Sequence, residues 1–424
     1  MIQQGPRIKM HMQTTHEKRQ LWIILLIVLI SFIGSSIAYP ILPPLFLQST
    51  DQLIISPEWG ETGRRILLGL TLAIFPLGQF IGSPILGRNS DLYGRKKILI
   101  FSLAGSMLGY VLTVISFEIN SFWLLLFSRF LTGFMEGTFA VARAFASELT
   151  TINKYVSFGR INSMAGIGYI IGPIIGGLLS NARMIPWFSW SFPFAVAALA
   201  SVITLGLAWW KLPEHKTLGT PQKESILKQL NIIRQLKLLF QHHPHLKPLL
   251  IISTLFTFAV DMFYEFGPVY LAGKWLMSPS MIAVYNGALS ASLALGASWL
   301  PHHLSKHLPI HKIIILAMLT TTLIFAAMIT FQNPIAMFLF FALIGFSITS
   351  VVTTLTIHIS NSSQATMQGE VMGAQLSLRT LGDAIICFAG GLMIVLSIIL
   401  PIVLCCLTAL TASILCLFFL KPKS

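Results

Sequence analysis

Long apolar runs alternate with short polar intervals along this chain, and the runs share one length. A helix crossing a bilayer needs about 20 mostly apolar residues, and about twelve stretches reach that length. They are residues 21–46, 66–87, 98–117, 122–149, 156–180 and 187–210, then 249–272, 280–300, 311–331, 335–358, 371–397 and 399–420. Backbone in hydrocarbon must satisfy its own hydrogen bonds, so the pattern predicts helices; the runs are too long and continuous for barrel strands. The polar intervals then set the organisation: a tail over 1–20, a six-helix bundle over 21–211, a linker over 212–247, a second six-helix bundle over 248–420 and a tail over 421–424. Within the linker, ESILKQLNIIRQLKLLF alternates bases with Ile and Leu at helical spacing, as a helix lying on a membrane surface does.

Composition strengthens this picture. The 424 residues are 55% hydrophobic and 10% charged, with a mean hydropathy of +0.79. Soluble domains carry roughly 25% charged residues, so this chain cannot cover itself in water. Its length would otherwise suggest two or three soluble domains. The net charge of +14 would suggest nucleic-acid binding in a soluble protein, but here the bases gather in short loops. Arg7, Lys9, Lys18 and Arg19 precede the first run, and Arg88, Arg95, Lys96 and Lys97 follow the second. Lys154 and Arg160 follow the fourth, while the alternate loops hold little beyond Arg64, Arg65, Arg183 and Lys274. Both termini and the base-rich loops are therefore expected on the cytoplasmic side, with no nucleic-acid partner. The first run exceeds a signal-peptide core and reads as an uncleaved membrane helix.

Chemistry that the chain lacks narrows its function. Cys387, Cys405, Cys406 and Cys416 lie in apolar runs without ligand spacing and read as small hydrophobes. His303, His307 and His311, and the group His242, His243 and His245, fall in basic loops, so no metal site is expected. There is no phosphate-binding Gly-Lys-Ser/Thr loop and no Ser/His/Asp constellation. The reading is a non-enzyme without a cofactor, and not an ATP-driven pump.

One loop stands out. GRNSDLYGRKK places Arg88, Asp91, Arg95, Lys96 and Lys97 within eleven residues. Topology explains the bases but not Asp91, nor the flanking Gly87 and Gly94. A tight turn between antiparallel helices needs glycine for its backbone angles. A carboxylate there can cap a helix N-terminus, and a neighbouring Arg can pair with an acid elsewhere. The two halves also look related: Gly159 and Gly172 match Gly369 and Gly382 at one offset, and HHLSKHLPIHK is a faint partner of the charged loop. Paired six-helix repeats point to a transporter.

Gly87-x-x-x-Asp91-x-x-Gly94-Arg95-Lys96 resembles the loop signature of the major facilitator superfamily, with Asn89 where that family often has an aliphatic residue. Arg129-x-x-x-Gly133 resembles its membrane-embedded arginine motif, with Thr132 where Gln is common. Gly166-x-Gly168-x-x-x-Gly172-Pro173-x-x-Gly176-Gly177 resembles the proline-kinked motif of the twelve-helix drug:proton antiporter branch. Tyr39-Pro40-Ile41-Leu42-Pro43, Gln79 and Pro84 also look like that branch. The resemblance implies an all-α integral membrane fold of two pseudo-symmetric six-helix bundles. It implies a gate in which Asp91 faces the eleventh helix near Gly369 to Gly373 and Arg95 pairs with Glu148. It further implies proton-coupled efflux of amphiphilic organic compounds by alternating access, in a bacterial inner membrane, by a monomer. Its partners would be a small organic substrate, protons and membrane lipid. A specific metabolite or siderophore transporter, and a non-transporting receptor or scaffold, are the alternatives.

Ionisable residues deep in a bilayer are costly and by default functional. Arg129, Glu136 and Arg143 are spaced seven apart, so a continuous helix would put them on one face about 10 Å apart per step. Asp261 and Glu265 lie one turn apart, and two carboxylates in low dielectric resist ionising together, so the pair can hold a proton. Arg379 and Asp383 are also one turn apart and read either as a structural bridge or as part of the coupling site. With helices one, four, seven and ten lining the cavity, as the resemblance implies, Asp261 is the expected proton carrier and Glu136 the expected substrate contact.

Overall fold

The structure is a computed structural model that describes residues 5–48, 54, 59–149, 151, 154–180, 189–214, 240, 241, 244, 246–331, 333–362 and 368–420, some of them by backbone alone. Fourteen helices occupy these residues, and no strand occurs among them. In chain order they are α1 (Gly5–Ser36), α2 (Leu42–Leu47), α3 (Gly60–Tyr93), α4 (Arg95–Glu118), α5 (Phe122–Met135), α6 (Thr138–Ser147), α7 (Lys154–Leu179) and α8 (Phe192–Lys211). Then come α9 (Leu246–Trp275), α10 (Pro279–Ser305), α11 (Ile310–Thr330), α12 (Pro334–Ser362), α13 (Gln368–Leu396) and α14 (Leu400–Phe419). Among the described residues ten helical segments are long and apolar enough to cross a membrane. α10 and α13 run where the two remaining spans are expected. The protein is a multi-pass, all-α membrane protein.

Two expected spans are interrupted. The run 21–46 is not one helix: α1 stops at Ser36, residues 37–41 turn, and α2 follows. Pro40 has no N–H to donate and drives Tyr39 out of the helical region, which ends α1. At its other end α1 begins at Gly5, so much of the basic tail continues the first helix. The run 122–149 breaks between α5 and α6. Glu136 N–H donates to Gly133 O at 3.0 Å and Phe139 N–H to Glu136 O at 3.2 Å, short-range bonds that tighten the turn around Gly137. Residues 215–239, most of the expected amphipathic linker, lie outside the described residues.

The chain divides into two compact units. One holds Met1–Ala38 and Leu77–Ile226, the other Tyr39–Pro76 and Leu227–Ser424, so the boundary runs through α3. In the first unit α1 packs on α7 and α8, and α4 on α5 and α8. Leu21, Ile24, Leu25 and Val28 of α1 meet Leu99 and Leu103 of α4 and Phe145 of α6 in its core. Small residues let the helices close up. A side chain at Gly78 would meet Phe130 O at 2.5 Å and Phe134 N at 2.8 Å, so α3 lies directly on the α5 backbone. In the second unit α9 packs on α13 and α14, α10 on α12, and α11 on α12 and α14. Phe263 is central there, with ring centroids 4.8 Å from Phe341 and 5.4 Å from Phe325.

The outer face of α4 is apolar. Phe101, Leu108, Val111 and Ile115, spaced along one stripe, are all exposed, as residues facing lipid are. α7 differs. Its exposed stripe carries Gly159, Asn162, Ser163, Gly166 and Tyr169, with Ile167 as the apolar neighbour.

Candidate functional site

The charged loop is shorter than its sequence suggests. α3 continues to Tyr93 and α4 starts at Arg95, so Gly94 alone makes the turn. Its φ of 102° lies where a side chain would be strained, which accounts for glycine at this position. Gly87 does not share that role: it sits inside α3, with open space where a side chain would go.

Arg95 collects the partners of this corner. Its Nε donates to Glu148 Oε1 at 2.8 Å, joining the start of α4 to the end of α6, and its guanidinium also pairs with Asp91. Nη1 donates to Ser90 Oγ at 2.6 Å, and Ser90 in turn donates to Gly87 O at 2.6 Å. Ser90 is fully buried and was invisible to sequence reasoning, because a serine near a loop carries no signal of its own. Lys96 is partly exposed, and Lys97 pairs with Glu214 at 3.0 Å just beyond α8. The implied partner of Asp91 near Gly369 to Gly373 falls on residues that, Val371 apart, are described by backbone only. A second corner was also missed. Glu17 accepts from the N–H and the hydroxyl of Thr151 at 2.8 and 2.7 Å, tying the extension of α1 to the chain entering α7.

The glycine motif of α7 packs on α1 with a repeat of four on both sides. A side chain at Gly168 would meet Leu29 O at 2.9 Å, and one at Gly172 would meet Ile33 O at 2.6 Å. One at Gly176 would run into Ile37 O. Gly177 is buried beside it, and Pro173 lies inside the helix, where it removes one backbone bond. Ser36 Oγ lies 3.2 Å from Gly168 O, a further tie between the two helices.

The break in the fourth span separates the three charges expected on one face. Arg129 and Glu136 are buried, at 4% and 2% exposure, and share their surroundings with buried Tyr110. Glu136 Oε1 has no hydrogen-bond partner among the described residues. Arg143, on α6 beyond the break, turns to α7 instead and donates to Asn162 Oδ1 at 2.6 Å.

The second unit holds an acid–base group whose pairing differs from the expected one. Arg379 of α13 reaches across to Asp261 of α9, with Nη2 to Oδ1 at 2.8 Å and Nε to Oδ2 at 3.1 Å. The bridge thus runs between helices, and the charge of Arg379 also acts on Asp383. Asp383 stands within hydrogen-bonding reach of Asp261, and the charge of Glu265 also acts on it. Asp383 Oδ1 is buried with no hydrogen-bond partner among the described residues. Gly382 and Gly390 bring α13 close: a side chain at either would strike the rings of Phe258 and Phe266 on α9. Gln375 Nε2 donates to Ser253 Oγ at 2.7 Å one turn before the bridge. Among the described residues no group of His, Cys, Asp or Glu is arranged to hold a metal ion.

These features meet a family model, described as Major Facilitator Superfamily, that matches residues 24–387. The chain belongs to the Major Facilitator Superfamily. It is therefore a member of a family of transporters, not of enzymes. It is 36% identical over 187 residues to the tetracycline resistance protein, class H, of Pasteurella multocida, which is 44% of this chain and 42% of that protein. Such matches span about half the length of the tetracycline resistance relatives. With multidrug resistance protein 2 of Bacillus subtilis (strain 168) it shares 25% identity over 393 residues, 92% of each chain. Among solved superfamily structures, the human organic anion transporter MFSD10 (TETRAN) superposes with a TM-score of 0.66 at 19% identity, over 96% of this chain and 99% of that one. A point mutant of the nucleoside transporter NupG superposes with a TM-score of 0.71 at 12% identity, over 94% and 100%. These two show the fold alone.

Proposed function

We propose that this superfamily member is a proton-coupled secondary transporter that exports amphiphilic, drug-like organic compounds by alternating access. The observation that carries the reading is the group Asp261, Arg379 and Asp383, an acid–base cluster between two membrane helices. Charge buried in a membrane persists where it moves a proton or an ion. The resistance proteins among its relatives support the substrate class. In this reading both termini lie in the cytoplasm, as the base-rich loops favour, and the membrane is a bacterial inner membrane.

Within that reading the proton passes to Asp383 rather than Asp261. Both oxygens of Asp261 are already engaged by the Arg379 fork. Asp383 has one buried oxygen without a partner among the described residues and faces a second carboxylate, an arrangement that a shared proton relieves. Protonation there weakens the hold of the acids on Arg379 and gives the second unit two electrostatic states. In the first unit the corner at Arg95 acts as the cytoplasmic latch, with Asp91, Glu148 and Ser90 setting its closed form. Pro173 supplies the bend in α7. Glu136, buried beside Arg129, supports that arginine rather than touching substrate.

Purified protein in proteoliposomes, given a panel of labelled compounds including tetracycline, tests this. The expected result is flux driven by a pH gradient. Asp383→Asn is expected to abolish that drive while leaving exchange at equal pH. Full gradient-driven flux in Asp383→Asn would return the proton to Asp261 or Glu136; absence of gradient-driven flux in the unmutated chain ends the antiporter reading.

A further inference from the structure

Arg143 is a cation on the inner part of a membrane span, and its surroundings are those of a binding site rather than of a surface base. An arginine near a helix end ordinarily extends along the axis until its head reaches water. Arg143 goes the other way. Its guanidinium lies 4.4 Å from the ring centroid of Phe139, one turn back toward the middle of the membrane. Nη2 meanwhile holds the neutral Asn162 amide of α7. Phe139 belongs to an aromatic wall: Phe32 sits edge-on to it with centroids 5.0 Å apart, and Tyr169 sits edge-on to Phe32 at 5.1 Å. Tyr169 and Asn162 are exposed, and a side chain added at Gly166, between them on the same face, would meet nothing within 4 Å. Arg143 and its Asn162 partner suit a water-filled cavity better than lipid, and this stripe is read as opening on one.

We infer that the cleft lined by Arg143, Asn162, Phe139, Phe32 and Tyr169 binds an organic anion, the arginine taking its acidic group and the aromatic wall its flat apolar body. The guanidinium is a planar donor suited to carboxylate or sulfonate, and with Nη2 on Asn162 and Nε buried it would meet the ligand through its Nη edge. Stacking on Phe139 holds that edge in one orientation before ligand arrives, which lowers the ordering cost of binding. Of the two acids on the same span, Glu148 is held by Arg95 and Glu136 is buried beyond the helix break at 2% exposure. The inference rests on the transporter reading for its purpose, but not for its test.

Two permanently charged probes of matched shape separate the possibilities: 2-naphthalenesulfonate and 2-naphthyltrimethylammonium. Binding to the full chain in detergent at a single pH requires no proton coupling, so it stands or falls apart from gradient-driven flux. The unmutated chain is expected to bind the sulfonate at least tenfold more tightly than the ammonium probe. Arg143→Gln is expected to erase that preference, Arg143→Lys to keep part of it, and Gly166→Phe to block both probes by filling the open space. Should Arg143→Gln fail to fold, the Arg143→Lys and Gly166→Phe results decide alone. Preference for the ammonium probe, no binding of the sulfonate, or unchanged sulfonate affinity in Gly166→Phe each overturns the site. Gradient-driven flux of cations only, with no sulfonate binding, would keep the antiporter and discard this site; sulfonate binding without gradient-driven flux would do the reverse.

Discussion

Two helices of the first unit, α4 and α7, each present one exposed stripe, and the stripes are chemical opposites. On α4 the residues are Phe101, Leu108, Val111 and Ile115; on α7 they are Gly159, Asn162, Ser163, Gly166 and Tyr169. Both helices are long and apolar enough to span. What differs is which side of each helix carries its polar atoms. α4 hides Ser102, Ser106, Thr113 and Ser116 inside the unit, where Thr113 and Ser116 bond back to their own helix. α7 buries Gly168, Gly172, Gly176 and Gly177 and shows the amide of Asn162 and the hydroxyl of Ser163. One stripe suits hydrocarbon and the other suits water.

The largest effect that separates them is insertion of a charge. Leu108→Asp places a carboxylate in lipid at a cost of about 2.5–3.5 kcal/mol, enough to lose most folded protein. Ser163→Asp on the watery stripe is expected to cost less than about 0.5 kcal/mol. Detergent size-exclusion profiles of the two variants read the difference, and equal profiles would dissolve the contrast. Next in size is the buried side of α7. Gly172→Val pushes a branched side chain into Ile33 O and Ser36, an overpacking of about 1–3 kcal/mol, and should slow turnover more than it lowers yield. Normal transport by this variant would mean that the glycine contacts do not matter for motion. Smaller again is Glu148→Gln. A partly exposed ion pair is worth about 0.2–1 kcal/mol, so melting temperature should barely move while labelling of cytoplasmic-side positions increases. The mildest probe is a single cysteine in a cysteine-free background. Ser163→Cys should react with a membrane-impermeant maleimide and Leu108→Cys should not.

The spans were legible because about 20 apolar residues in sequence admit few other structures. Their interruptions were less so. Tyr39-Pro40 was read as a family feature inside a helix when its steric effect was enough to end one. The break at Glu136 and Gly137 had no proline to mark it, and glycine in membrane helices more often serves packing. Pairing between helices was the hardest to read. Periodicity puts Asp261 and Glu265 on one face of α9, and Arg379 and Asp383 on one face of α13. It says nothing about which turn of one helix lies level with which turn of the other. That level is set by contacts such as Gly382 on Phe258, so the Asp261–Arg379 bridge was out of reach. Arg95 and Glu148, 53 positions apart, were linked only through the motif resemblance. Asn162 carried no signal, since one amide in a glycine-rich helix is ordinary.

The ladder between α1 and α7 also has a mechanical meaning. Carbonyl oxygens of Leu29, Ile33 and Ile37 occupy the notches at Gly168, Gly172 and Gly176, like teeth on a rack. Sliding one helix along the other by a single residue, about 1.5 Å, would drive oxygens out of the notches and against the bulk of Tyr169 or Ile171. Glu17 pins the same pair of helices beyond the end of the rack. Shear between them is therefore blocked, and whatever tilts α7 must carry α1 with it, so the two behave as a single stiff rod.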